Sequence, residues 1–140
     1  MIILDTNVVS ELTKQVPEAA VLNWLDSLPA EDVATTAITA AEVLYGAARL
    51  PAGRRKTALA TAVRGLINED FMGRVEPFDT AAAEAYALLV TGREQLGRPI
   101  AAADAQIAAI CRAQRAALAT RNIRDFQDTG IELINPWRIT

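Results

Sequence analysis

Histidine is missing from this chain altogether, and cysteine occurs once, as Cys111. The first absence removes the commonest general base, the Ser-His-Asp and Cys-His arrangements, and the imidazole ligands of most zinc sites. The second excludes a disulfide within the chain and a thiolate metal cluster. Aromatic residues make up only 5% of the sequence, and no basic face interleaves them, which argues against broad single-strand binding by base stacking. No apolar run approaches the roughly 18 residues needed to cross a bilayer. No basic flank or cleavage site precedes the first apolar segment, so a cytoplasmic protein is expected. The net charge of −3 does not advertise nucleic-acid binding, although acids gathered at a metal site would mask a basic rim.

What is present is 140 residues, half of them hydrophobic. That length predicts one domain, residues 1–140, burying about two-thirds of the surface of its unfolded chain. Catalysis, if any, must run on carboxylates, hydroxyls, Lys or Arg. Oxygen-only ligation favours Mg²⁺, with Mn²⁺ as a substitute, over zinc or copper.

The order of elements is legible from periodicity and punctuation. Ile2 to Leu4 read as a strand buried on both faces, stopping on Asp5. A short helix follows from Val8 to Thr13, capped by Thr6 or Asn7, and a second follows Pro17, which suits the first helical position, and ends at Pro29. Val33 to Thr36 is a weak strand, and Thr39 caps the next helix, which reaches Ala48. Arg54 to Asn68 is helical, Val75 to Phe78 a strand, and Asp79 or Thr80 caps a long helix to Leu96. Ile100 to Gln114 is helical, Ala117 to Thr120 a strand, Arg121 to Gly130 a loop, and Ile131 to Ile134 the last strand. Strands alternating with helices predict an α/β fold: a central, mainly parallel sheet with helices on both faces.

Asp5 therefore stands at the carboxyl end of a strand, where open α/β sheets place their ligands. Asp104 lies on or beside the apolar stripe of its helix, with Ile100, Ala101, Ile107 and Ala108 as neighbours, so its charge must find a cation, donors or a proton. The plain alternative is a first-turn acid stabilised by the helix dipole. Glu42 stands among Ala, Val, Leu and Tyr; alternatively, Thr39-Ala40-Ala41-Glu42 is a capping box. Asp125 follows the strand that ends near Thr120, and either joins the other acids or pairs with Arg121 or Arg124. Thr6, Asn7, Thr120 and Asn122 are placed to orient waters and carboxylates around such a site.

Four acids from four separate segments would repel one another unless a divalent ion neutralised them. Two ions about 3.5–4 Å apart can activate water and stabilise the leaving oxygen of a phosphodiester, which makes a histidine base unnecessary.

From ILDTNVVSEL through AITAAEVLYGAARLP, RVEPFD and IAAADAQIAAI to LATRNIRDF and INPW, the chain resembles the PIN-domain ribonucleases, and most of all the VapC and FitB-like toxins of bacterial toxin–antitoxin pairs. The resemblance implies a PIN-like fold and a Mg²⁺ site held by Asp5, Glu42 and Asp104, with a fourth acid from TRNIRDF. Some relatives carry that acid directly after Thr-Arg, where this chain has Asn122; Asp125 matches the other form of the pattern. It further implies a homodimer, cleavage of RNA to leave a 5′-phosphate, and neutralisation by a small VapB or FitA-like antitoxin, with higher complexes on DNA and no membrane.

Arg121 and Arg124 are candidates for RNA contact because their loop leaves the same sheet edge, with Arg49 a weaker one. Arg54-Arg55-Lys56 open a helix, either as a solvated charged turn or to meet a phosphate backbone or an acidic segment. Trp24 and Trp137 fill the core or serve an interface. A second reading of function is an antitoxin-pairing module that helps repress a DNA operator with weak or no nuclease activity. An aspartyl-phosphate phosphatase would need a second acid at position seven, which is Asn7, and no phosphate-loop string exists.

Overall fold

Ile3 and Leu4 are both fully buried but join different apolar clusters, one on each face of the sheet, as the two-residue period of a strand requires. The computed structural model describes residues 1–139; Thr140, the last residue of the expected domain, lies outside the described residues. In chain order the elements are β1 (Ile2–Leu4), α1 (Thr6–Leu12), α2 (Ala19–Asp26), β2 (Val33–Thr36), α3 (Ala37–Ala48), α4 (Arg54–Gly65), β3 (Val75–Glu76), α5 (Thr80–Gln95), α6 (Ala102–Gln114), β4 (Ala117–Ala119) and β5 (Leu133–Ile134).

The five strands form an all-parallel sheet in the order β3-β2-β1-β4-β5. From β1 the chain builds outward through β2 and β3, then returns to lay β4 on the other side of β1. That reversal makes the carboxyl ends of β1 and β4 a topological switch point, the crevice in which such sheets bind ligands. One face is packed by α5 and α6 around Leu89, Ile107, Ile110, Leu118 and Phe126. The other is packed around Leu4, Val8, Val21, Val33, Val63 and Phe71, with Trp24 and Trp137 against it, so both tryptophans serve the core. Cys111 is buried in the first cluster, and burial pushes its thiol well above the usual range, as for a small hydrophobe. No helix of the described residues is long and apolar enough to cross a membrane.

Two helix starts differ from the sequence reading for one reason. β1 and β2 run into their helices without a loop, so the last extended residue becomes the cap: Asp5 for α1, not Thr6 or Asn7, and Thr36 for α3, not Thr39. The Thr36 hydroxyl accepts the Thr39 N–H at 3.0 Å, which places Thr39 inside the helix and leaves no capping box with Glu42. Pro17 stays outside α2, which starts at Ala19. Ile100 and Ala101 stay outside α6, the latter held extended at φ −62° and ψ 144°. Asp79 caps α5, accepting the Ala82 N–H at 2.9 Å. α4 gives way at Leu66 to a π-helical turn through Asp70, the two outer strands are shorter than their apolar runs suggest, and the Arg121–Gly130 loop contains a 3₁₀ turn at Ile123–Phe126, anchored by buried Phe126.

Candidate active site

The parallel pairing of β1 with β4 sets Asp5 beside Thr120: the Asp5 N–H donates to Ala119 O at 2.9 Å, and the wholly buried Thr120 hydroxyl donates to Asp5 Oδ2 at 2.7 Å. Asp5 Oδ1 accepts the Thr6 N–H at 2.8 Å, and Oδ2 also accepts from Asn7 Nδ2 at 3.3 Å. These three bonds fix the carboxylate's direction while leaving part of the roughly four lone-pair positions that a carboxylate offers. Asp5 is only 4% exposed, and burial raises its pKa despite the hydrogen bonds from Thr120 and Thr6; the charges of Glu42 and Asp125 push the same way.

Thr6 reaches across to α3. Its hydroxyl donates to Glu42 Oε1 at 3.0 Å and lies 3.2 Å from that of buried Thr39. Glu42 is thus exposed but oriented, joined to Asp5 through one residue. Asn7 works on the other side: its Oδ1 accepts the Arg121 N–H at 3.1 Å, and the Asn122 N–H donates to Thr120 Oγ1 at 3.0 Å. Asp104 occupies the first turn of α6, so the favourable dipole position is real. Its pKa is nevertheless pushed up to about 6, first by burial and then by the charges of Asp5, Asp125 and Glu42, with Arg93 opposing.

Thr6 thus joins Asp5 and Glu42 by hydrogen bonds, while Asp104 and Asp125 bear on them through their charges. Asp125 forms no ion pair with Arg121 or Arg124 among the described residues. Arg49 is apart from them: it closes α3 seven residues beyond Glu42, roughly 10 Å along the helix, with its guanidinium 5.7 Å from the Tyr45 ring. Among the described residues no three Asp, Glu, His or Cys side chains stand close enough together to form a metal cage. Carboxylate and hydroxyl oxygens are the donors on offer here, a set that suits a hard divalent ion rather than zinc or copper.

The family model described as PIN domain matches residues 2–132. The chain belongs to the PIN-domain family. It is 42% identical over 137 residues to the VapC ribonuclease Y4jK of Sinorhizobium fredii, covering 98% of each chain. To toxin FitB of Neisseria gonorrhoeae it is 41% identical over 137 residues, covering 98% of this chain and 99% of that one. Among solved structures, FitAB bound to the IR36 DNA fragment superposes with a TM-score of 0.93 at 40% identity, covering 100% of this chain and 98% of that chain.

Two residues of this PIN domain escaped the sequence reading. Glu11 is a buried acid, but it is already neutralised: Lys14 Nζ donates to it at 2.9 Å, the Glu18 N–H donates at 2.9 Å, and its pKa is lowered, chiefly by Lys14. The i,i+3 spacing to Lys14 was the available signal. Arg93 is 4% exposed and has no carboxylate partner among the described ion pairs. It donates instead to the carbonyls of Arg98 at 2.7 Å, Asp125 at 3.0 Å and Gln127 at 2.9 Å, and so pins the loop that carries Asp125. Its place four residues after buried Leu89 marked it as inward-facing.

Arg93→Met should destabilise the protein by about 3 kcal/mol or more in urea unfolding, since three carbonyls lose a charged donor at once, and Arg93→Lys should recover only part of that. A change under about 0.5 kcal/mol for the Met variant, the range of an ordinary surface substitution, would show that the loop does not depend on this cation.

Proposed function

We propose that this PIN domain is the toxin of a toxin–antitoxin pair and a divalent-metal-dependent endoribonuclease. The single observation that supports the reading is the hydrogen-bonded chain at the carboxyl end of β1, where Thr120 holds buried Asp5 and Thr6 joins it to Glu42, with the Asp104 carboxyl pushed up to about 6 by burial and by the charges of Asp5, Asp125 and Glu42. The names of the relatives supply the substrate class and the setting: one is called a VapC ribonuclease and another a toxin.

In this reading the four acids hold Mg²⁺ or Mn²⁺. Asp125 completes the set rather than Asn122, whose amide brings no charge and whose N–H is engaged with Thr120. When bound, the ion supplies Lewis acidity, offsetting charge on the phosphodiester and making water a stronger nucleophile. The chain's own part is placement. Thr120 and the Thr6 N–H aim Asp5, Thr6 aims Glu42, and Arg93 holds the Asp125 loop. With Thr120 at a strand end, Thr6 at a helix start and Arg93 in the last turn of α5, little reorganisation is left for the reaction itself. The partner follows from the same kinship: a small antitoxin of the VapB or FitA type. A homodimer would cover Leu44, Tyr45 and Leu88, large apolar residues that α3 and α5 leave exposed.

One observation favours the second reading, an operator-repressing module: the FitAB neighbour is bound to DNA. Incubating purified protein with a mixed RNA pool, with Mg²⁺ or EDTA, separates the two. Cleavage should require the metal and should fall at least about 100-fold in Asp5→Asn and Asp104→Asn, each of which removes charge but not volume. Full activity in either variant, or in EDTA, refutes the acid-held metal.

The raised acids also set a pH dependence. A carboxyl whose folded pKa lies above its unfolded value favours folding most below the unfolded value, 3.8 for Asp104, and loses that contribution as pH rises through about 6. At neutral pH the metal-free protein therefore carries the whole repulsion, which a divalent ion relieves. Saturating Mg²⁺ should raise the melting temperature by roughly 5 °C or more at about pH 7.5 and clearly less at about pH 5. Equal shifts at both values would disconnect the ion from these acids.

A further inference from the structure

Past the carboxyl ends of β4 and β5 the surface opens into a cleft of about 860 Å³, whose walls carry Arg121, Arg124 and Arg138, with Trp137 and Asn135 between them and Asp125 at one side. None of the three guanidinium groups takes part in an ion pair among the described residues, and all three are exposed. In a chain of net charge −3, three unpaired cations facing one cavity are a local reversal of sign. The cleft adjoins the acid site, because Arg121, which lines it, donates its N–H to Asn7 Oδ1, and Asn7 Nδ2 donates to Asp5 Oδ2.

Its walls are also held in shape. The Arg121 guanidinium lies 4.9 Å from the centroid of the Trp137 ring, and the Arg121 N–H donates to Asn7 Oδ1 at 3.1 Å. Asn135 Oδ1 accepts the Trp137 N–H at 2.9 Å, which leaves the Asn135 amide N–H groups as the donors it can offer. Three arginines around an arginine-capped indole, with a side-chain amide beside it, combine phosphate clamps with a flat surface and a base-edge donor. That is the chemistry of single-stranded nucleic acid recognition.

Resting on the nuclease reading, we propose that this cleft is the substrate track: it holds single-stranded RNA on one side of the scissile phosphate, with Arg121, Arg124 and Arg138 on backbone phosphates and the Trp137 and Asn135 wall against one nucleotide. The acid cluster repels an approaching polyanion until a cation fills it, and the cleft supplies the compensating attraction one step away. An acidic peptide is the competing occupant for three arginines. Asp125 on the wall repels either polyanion alike, and the ring and amide decide against the peptide, since they would serve no purpose for a chain of carboxylates.

The test is the binding of a short labelled single-stranded RNA of mixed sequence to the Asp5→Asn protein in Mg²⁺, titrated with salt. Removing one phosphate contact from a single strand lowers the slope of log affinity against log salt by about 0.7. Arg124→Ala and Arg138→Ala should each flatten the slope by about that much and weaken binding about fivefold or more at moderate salt; the double variant should lose both increments. Arg64→Ala, on the exposed side of α4, should change neither. Trp137 also packs in the core, so Trp137→Phe is the usable ring variant, and it should weaken RNA more than an inorganic polyphosphate of similar charge. An unaltered slope in the double arginine variant overturns the proposal, as does tighter binding of polyglutamate than of RNA with the same number of charges. Because turnover plays no part in this assay, a wild-type protein that fails to cut RNA condemns the nuclease reading, whereas a flat arginine series condemns only the cleft.

Discussion

The hydrogen bond by which Thr120 holds the buried carboxylate of Asp5 is the constraint on which the rest of the candidate site depends. Asp5 is the centre of that arrangement, buried at the end of β1 and locked by a hydroxyl from the neighbouring strand. The hydrogen bond from Thr120 links residues 115 positions apart in the chain, and it exists only because β4 returns to pair with β1. Remove that adjacency and the acids disperse. Keep it, and the fold must accommodate their repulsion through donors, through nearby cations and, in the proposed function, through a divalent ion.

The cations are distributed to match. Arg93 lies behind the acid site, buried, and donates to the carbonyls of Arg98, Asp125 and Gln127 rather than to a carboxylate, so that it stiffens the Asp125 loop while its positive charge lowers the pKa of Asp104. Arg121, Arg124 and Arg138 lie in front, exposed and without ion-pair partners among the described residues. One cation stabilises a scaffold, and three stand where a polyanion can reach them. At the far end of α1, Lys14 neutralises buried Glu11, which therefore takes no part in the acid site although it is the same kind of residue. Local pairing, not residue type, separates a structural acid from a chemical one.

Much of the site could be read along the chain because strand-end geometry is a local property. An apolar run that stops on Asp5, a strand followed by Thr120, and a helix that turns Asp104 inward all come from patterns a few residues long. The misreadings are local too, but they depend on how abruptly one element becomes the next. Thr39 looked like a cap and is the third residue of α3, because β2 passes into the helix at Thr36 without a connecting loop. The capping box, one of two readings open for Glu42, does not form for that reason, and the carboxylate accepts from Thr6 instead. Arg49, the weaker candidate for RNA contact, closes α3 about two turns beyond Glu42, with its guanidinium over the Tyr45 ring.

The sequence by itself determined the chemical vocabulary: without histidine and with one buried cysteine, only oxygen ligands and guanidinium cations were left for any chemistry. It also determined the alternation of strands and helices, because hydrophobic periods of 2 and 3.6 are set by backbone geometry. Only the tertiary structure decided which acids share a field, that Arg93 supports the loop of Asp125, and that Arg138 and Trp137, close to the end of the chain, face the same cleft as Arg121 and Arg124. Those facts follow from strand order. No short-range period encodes strand order, since it is chosen by which long crossovers close with the least strain and bury the most apolar surface.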